Sequence, residues 1–449
     1  MNKLREYLPV GHFSTMTLHA WFECFKGCGV RYRLDQIVYR CETCGGLLEV
    51  RHDIDALKKQ PASEWKQLFD SRLGRASGVW SKKELVLPEL EEKSIVSLGE
   101  GNSPLIRSER LAKHLGVAEI YIKQCGTSHT GSFKDLGMTV LVSAVNQIRS
   151  RIRAVACAST GDTSAALSAY CAAAGIPAIV FLPKNKVSIA QLIQPIANNA
   201  ITLSIDTDFD GCMKIVQEVT KDLSIYLANS MNSLRIEGQK TISFEIVQQL
   251  GWQVPDFVVV PGGNLGNVSA IGSGFLMMRE IGLIDRLPRL VCAQTDRANP
   301  LYRAFREGFA KFEPVTAGNT YASAIRIGNP VSFGKAVKVL RATNGIVEET
   351  TEAQLVRAAA EVDRFGFFND PQTGVALAAT IKLIEGKVIP DASRVVVIST
   401  AHGLKFAEFK TKFHQGQLPE VDSSLQNNPV EVSADVASIR AVINGRIPA

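Results

Sequence analysis

The sequence has no run of eighteen or more apolar residues, which excludes a membrane-spanning helix and leaves no reason to expect a membrane partner. The stretch from Met1 to Gly11 lacks an apolar h-region, so a secretory signal is not expected. It is also too short and too poor in Arg and Ser for a transit peptide, and the chain is expected in the cytoplasm. Charge of one sign is scarce too: 50 Lys and Arg against 44 Asp and Glu leave a formal net charge of only +6. Basic stripes interleaved with aromatics are missing, so no nucleic-acid partner is expected, although the slight positive excess favours anionic substrates. Internal repeats and low-complexity tracts are likewise missing, which argues against a solenoid or a repeat array.

What is present is ordinary for a globular protein. Hydrophobic residues make up 46% and charged residues 21% of 449 positions, enough chain for two or three domains with their own cores. From about residue 118 onward, apolar runs at Glu119–Lys123, Ala154–Ala158, Ala178–Leu182, Ile201–Ile205, Ile225–Ala228, Phe257–Val260, Leu290–Ala293 and Val395–Ser399 read as buried parallel strands. Helical stretches at Thr163–Ala174, Cys212–Asp222, Gly238–Leu250, Val268–Ile281, Glu352–Phe365 and Thr373–Ile384 lie between them. This alternation implies an α/β protein whose binding site lies beyond the C-terminal ends of the strands.

Four segments carry the chemistry. In Ser128-His129-Thr130-Gly131-Ser132-Phe133-Lys134-Asp135 a lysine follows small residues at a strand-to-helix turn. Partial desolvation there lowers its pKa, and the neutral amine can condense with an aldehyde. Taken alone it reads more readily as a surface lysine at a helix start. The loop Pro261-Gly262-Gly263-Asn264-Leu265-Gly266-Asn267 follows a buried strand and can turn backbone N–H groups onto a phosphate; by itself it is equally a nucleotide loop or a tight turn. Ala158-Ser159-Thr160-Gly161-Asp162-Thr163-Ser164 gathers hydroxyls and a carboxyl at a helix start, where they suit an amino acid carboxylate, a ring hydroxyl or simply an N-cap. Ser399-Thr400-Ala401-His402-Gly403 ends the last strong strand, and a hydroxyl there suits a pyridine nitrogen. His402 by itself reads as a structural histidine.

Together with Asn229–Thr241, these segments resemble the fold-type II pyridoxal phosphate enzymes, and among them the threonine synthase family of the plant-like kind, from about Asp35 to about Phe413. The resemblance implies a tryptophan synthase β-like fold of two parallel-sheet α/β units. The large cofactor-binding unit would span 96–135 and 236–415, and the small one 136–235. An N-terminal extension over 1–95 and a C-terminal tail over 416–449 complete the chain.

The resemblance also implies roles for individual residues. Lys134 would hold pyridoxal 5′-phosphate covalently and move protons at Cα and Cβ, with Phe133 beside it in the cofactor site. Gly262, Gly263, Asn264, Leu265, Gly266 and Asn267 would bind the cofactor phosphate. Thr400 would face the pyridine nitrogen and Asp162 the 3′-hydroxyl, a position where many fold-type II enzymes have Asn. Substrate contacts would come from Ser159, Thr160, Thr163, Asn229, Ser230 and Arg235, and an Arg fork with amide and hydroxyl donors suits a phosphate. The substrate implied is O-phospho-L-homoserine, converted with water to L-threonine and phosphate, and a homodimer is expected. Threonine dehydratase and cysteate synthase share the fold and the lysine. The dehydratase has no need of a phosphate-binding Arg, whereas cysteate synthase also takes a phosphorylated substrate.

Nine cysteines fall into two groups. Cys125, Cys157, Cys171, Cys212 and Cys292 sit in apolar segments and read as small buried hydrophobes. Cys24, Cys28, Cys41 and Cys44 form two close pairs, each followed by glycine, and resemble a zinc ribbon. Four thiolates leave no open position, so a bound zinc ion would be structural; a ribbon that holds no metal is the alternative.

Overall fold

A computed structural model describes residues 17–74, 77–159, 161–184, 189–207, 209–221, 224–419 and 421–447, with the side chains of 189–191, 209 and 210 also outside the description. Thr160 lies outside the described residues.

Three sheets organise the described chain. A small antiparallel one has the order β2-β1-β3, from Ala20–Cys24 (β1), Arg31–Tyr32 (β2) and Leu48–His52 (β3). The next strands in sequence are Leu105–Arg107 (β4) and Glu119–Gln124 (β5), then Ala154–Ala158 (β6), Ala178–Pro183 (β7), Ile201–Ile205 (β8) and Ile225–Leu227 (β9). Phe257–Pro261 (β10), Arg289–Thr295 (β11), Ile346–Thr350 (β12) and Arg394–Ser399 (β13) follow. Strands β6 to β9 make a four-stranded parallel sheet in the order β8-β7-β6-β9. The others make a six-stranded sheet, β12-β11-β10-β13-β5-β4, parallel except at β4.

The central strands are Val- and Ile-rich because helices cover both faces, and every residue of β10 and β6 is buried. Each such Val contributes about 1.5–3 kcal/mol by leaving water. Strand order then fixes where the loops meet. Strands β10, β13 and β5 are neighbours, so the loops after them, at 262–267, 400–405 and 125–133, emerge side by side. Strands β6 and β9 are neighbours in the other sheet and bring Ser159 and 161–163 next to 228–235.

Three expectations need correction. The strand read as buried over Ile201–Ile205 is β8 at the edge of its sheet, with Ile201 and Leu203 exposed. The helix read over Gly238–Leu250 is two helices, Leu234–Gln239 and Thr241–Gln249, joined at Lys240. The one read over Cys212–Asp222 runs from Phe209 to Val219.

Candidate active site

Lys134 is the first residue of the helix Lys134–Gln147. The turn before it is sewn to the end of β13 by main-chain bonds: the Phe133 N–H donates to Thr400 O (2.9 Å) and the His402 N–H to Gly131 O (2.9 Å). Its Nζ lies 4.1 Å from the centre of the Phe133 ring. Desolvation lowers the pKa to about 7, helped by the Arg235 charge and opposed by Asp162. The amine is therefore largely neutral near physiological pH, the form that attacks an aldehyde.

The Lys134 helix crosses the helix Leu234–Gln239 at very short range, because two glycines face each other's backbones. A Cβ at Gly238 would lie 1.7 Å from Leu136 O, and one at Gly137 would lie 2.8 Å from Arg235 O. This crossing brings the guanidinium near enough for its charge to act on the amine. Arg235 is buried (3% exposed) and donates only to neutral acceptors, Ala228 O and Thr163 Oγ1, both at 3.2 Å. Its Nε has no partner, and no carboxylate pairs with it among the described residues. Burial pulls its pKa down to about 10. A buried guanidinium without a counter-ion is costly unless an anion completes it.

Asn229 and Ser230 stand on the loop after β9. Asn229 Oδ1 accepts from the Ala158 N–H (3.2 Å), and Ser230 Oγ accepts from Asn264 Nδ2 (3.4 Å). That second bond links the loop after β9 to the glycine loop. Ser159 Oγ accepts from the Gly161 N–H at 3.3 Å and so shapes the turn leading to Asp162.

The glycine loop fits a cofactor phosphate. Gly262 and Gly263 admit no side chain, since a Cβ would meet Cys292 Sγ at 2.4 Å and Ile325 Cα at 2.9 Å. Leu265 holds a left-handed conformation (φ 63°) at the start of the helix Gly266–Glu280. At Gly266 a Cβ would fit without a clash, in ordinary contact with Ile236 Cδ1 at 3.7 Å and Ser332 Oγ at 4.0 Å. Asn267 is buried, yet its Oδ1 and Nδ2 are both without partners. Orphaned amide atoms at a helix N-terminus are what a bound phosphate would satisfy.

Thr400 is buried, and its N–H donates to Thr373 Oγ1 (3.1 Å). Next to it, Asp370 Oδ2 accepts from the Ala401 N–H (3.0 Å), and burial raises the Asp370 pKa. Asp162, first residue of the helix Asp162–Ala174, pairs with Lys405 Nζ at 2.9 Å. Lys405 also donates to Thr130 O (2.9 Å) and Gln194 Oε1 (3.1 Å), so it ties together the loops that carry Asp162 and Lys134. Neither Lys405 nor Asp370 stood out in the sequence. Lys405 lies two residues beyond the segment Ser399–Gly403 and its partner Asp162 follows a strand of another sheet, while Asp370 before Pro371 reads simply as an N-cap.

Residues 96–401 match the model of a protein family described as "Pyridoxal-phosphate dependent enzyme". A threonine synthase of Arabidopsis thaliana, named "Threonine synthase 2, chloroplastic", is 57% identical over 92% of this chain and 82% of its own length. The chain belongs to the threonine synthase family. The family member from Methanocaldococcus jannaschii is 40% identical over 94% of this chain and 98% of its own. The crystal structure of the Escherichia coli threonine synthase superposes with a TM-score of 0.65 at 20% identity, covering 95% of this chain and all (100%) of that one. It confirms the fold-type II architecture.

Family membership makes the cofactor pyridoxal phosphate, and the residues present fit it: a desolvated lysine, a glycine loop with unsatisfied polar atoms, and a buried threonine.

Proposed function

We propose that the enzyme converts O-phospho-L-homoserine and water to L-threonine and phosphate, and that the residues just described do so in the following way. The observation that carries this reading is Arg235, a buried cation with only neutral partners, whose charge acts on Lys134. Arg235, Thr163, Asn229 and Ser230 bind the substrate phosphate, where a guanidinium and neutral donors match its oxygens. Ser159 and the neighbouring Thr160 face the amino acid carboxylate.

Pyridoxal phosphate, when bound, supplies the electron sink that acidifies the substrate's Cα. Gly262, Gly263, Asn264, Leu265, Gly266 and Asn267 hold its phosphate, Phe133 lines its site, Thr400 meets the ring nitrogen, and Asp162, oriented by Lys405, meets the 3′-hydroxyl. Lys134 takes the Cα proton, and a Cβ proton follows. The γ-phosphate then leaves, water adds at Cβ, and protons return at Cγ and Cα.

The same reading divides the chain into an extension over 1–95, a large unit over 96–135 and 236–415, a small unit over 136–235 and a tail over 416–449. It also takes the enzyme as a cytoplasmic homodimer. No helix among the described residues is long and apolar enough to cross a membrane. Cell fractionation and light scattering check these two points.

The deciding experiment is incubation of the holoenzyme with O-phospho-L-homoserine. Threonine and phosphate are expected in equal amounts, and phosphate release without threonine would overturn the reading.

A further inference from the structure

Cys24, Cys28, Cys41 and Cys44 take no part in the site above. Their Sγ atoms all lie within 4.8 Å of one another, and Cys24 and Cys44 are 3.5 Å apart. A zinc thiolate with bonds of about 2.3 Å spaces its sulfurs about 3.8 Å apart in a tetrahedron, whereas a disulfide needs about 2.0 Å. All four are free thiols. Two turns present them: the Lys26 and Cys28 N–H groups donate to Cys24 Sγ, and those of Thr43 and Cys44 to Cys41 Sγ. Gly27 (φ 80°) and Gly45 (φ 65°) supply the left-handed positions these turns require. Such N–H donors stabilise thiolate ligands.

The module so closed grips the phosphate-binding segment from three sides. Tyr39 lies between the two turns, and its hydroxyl accepts from the Leu227 N–H at 2.7 Å. Cys24 pairs with Leu48 across β1 and β3, and Leu48 O accepts from Ser233 Oγ and from Lys335 Nζ (2.7 Å). At the far end of β3, His52 Nε2 meets Glu237 Oε2 at 2.8 Å and Lys240 Nζ at 3.1 Å, and Lys240 also pairs with Glu237. Asn229, Ser230 and Arg235 lie between these holds.

We propose that the four cysteines bind one zinc ion as a closed tetrathiolate, and that this ion fixes the position of the segment carrying Asn229, Ser230 and Arg235. The second half rests on the reading of that segment as the substrate-phosphate site. The cysteines act as positioning residues, far from the reacting atoms.

Elemental analysis of the purified holoenzyme is expected to give one zinc per chain, and cobalt substitution the visible bands of a tetrahedral thiolate. Absence of both, with four free thiols or with a disulfide, overturns the metal site. In the double variant Cys28→Ser/Cys44→Ser, zinc is lost and the cofactor's absorbance is kept. KM for O-phospho-L-homoserine then rises about tenfold while kcat moves little. Should the variant fail to fold, mercurial titration of the wild type reads the same effect as zinc release in step with rising KM. Zinc loss without a change in KM overturns the coupling. A zinc-loaded enzyme that makes no threonine overturns the substrate reading alone.

Discussion

Two groups of buried cations lie within this fold, and they are treated oppositely. Lys123 is completely buried but fully answered: its Nζ donates to Glu245 Oε2 (2.6 Å), Ser103 O (2.6 Å) and Gln249 Oε1 (2.9 Å). Glu245 in turn accepts from the Asn102 N–H at 2.7 Å, and its charge opposes the burial that lowers the Lys82 pKa to about 8. Lys134 and Arg235 are desolvated as well, yet Arg235 meets no carboxylate among the described residues, and Asp162, the acid whose charge acts on Lys134, is engaged by Lys405. A satisfied cation holds a fold together. An unsatisfied one stores affinity for an anion or for a carbonyl carbon.

The largest effect should follow loss of the amine. Lys134→Ala is expected to remove the visible absorbance of the bound cofactor and to lower kcat by at least about 1,000-fold, as a lost nucleophile and proton carrier requires. A surviving band would place the anchor elsewhere. On the structural side, Glu245→Ala leaves Lys123 buried without its counter-ion and should cost about 3–5 kcal/mol in chemical denaturation.

Arg235→Met tests the contrast directly. Stability should hold or rise, since no ion pair is broken, while kcat/KM falls about 100-fold for two lost charge-assisted bonds. Inorganic phosphate should raise the Tm of the wild type and leave that of the variant unmoved. If Arg235→Met destabilised as much as Glu245→Ala, the distinction between the two groups would collapse.

Lys134 also predicts a pH dependence. Its folded pKa of about 7 lies below its ordinary value, so it sheds its proton as pH rises through 7. The cofactor-free enzyme should therefore take up pyridoxal phosphate faster as pH rises from 6 to 8, then level off, in stopped-flow absorbance. Folding stability of that form should also rise with pH between about 7 and 10.5, because only the unfolded chain keeps the proton there. The smallest effect is at Asn267. Asn267→Ala removes two orphaned polar atoms, so the cofactor-free form should lose little stability while cofactor affinity drops about tenfold by equilibrium dialysis.

The parallel strands were readable because burial on both faces writes a continuous apolar run, as Val258, Val259 and Val260 do. The two edge strands of the larger sheet carry no such record. Leu105–Arg107 is three residues long with two exposed, and Ile346–Thr350 contains Glu348 and Glu349, so neither was expected. The break at Lys240 was hidden because no Gly or Pro stands at the junction. Within the site, the lysine turn and glycine loop were legible as motifs, each continuous in sequence. The Asp162–Lys405 pair and the Gly137–Gly238 crossing were not, since each joins residues from different parts of the chain.

One consequence follows from the main-chain stitching of Phe133 to Thr400 and of His402 to Gly131. On the proposed reading, the anchor point for the aldehyde and the contact for the ring nitrogen are clamped by peptide groups, which no point substitution short of proline can delete. Thr163, Asn229 and Ser230 belong to the helix and loop that follow strands of the other sheet. Sequence drift can therefore retune what the enzyme accepts without disturbing where the cofactor sits.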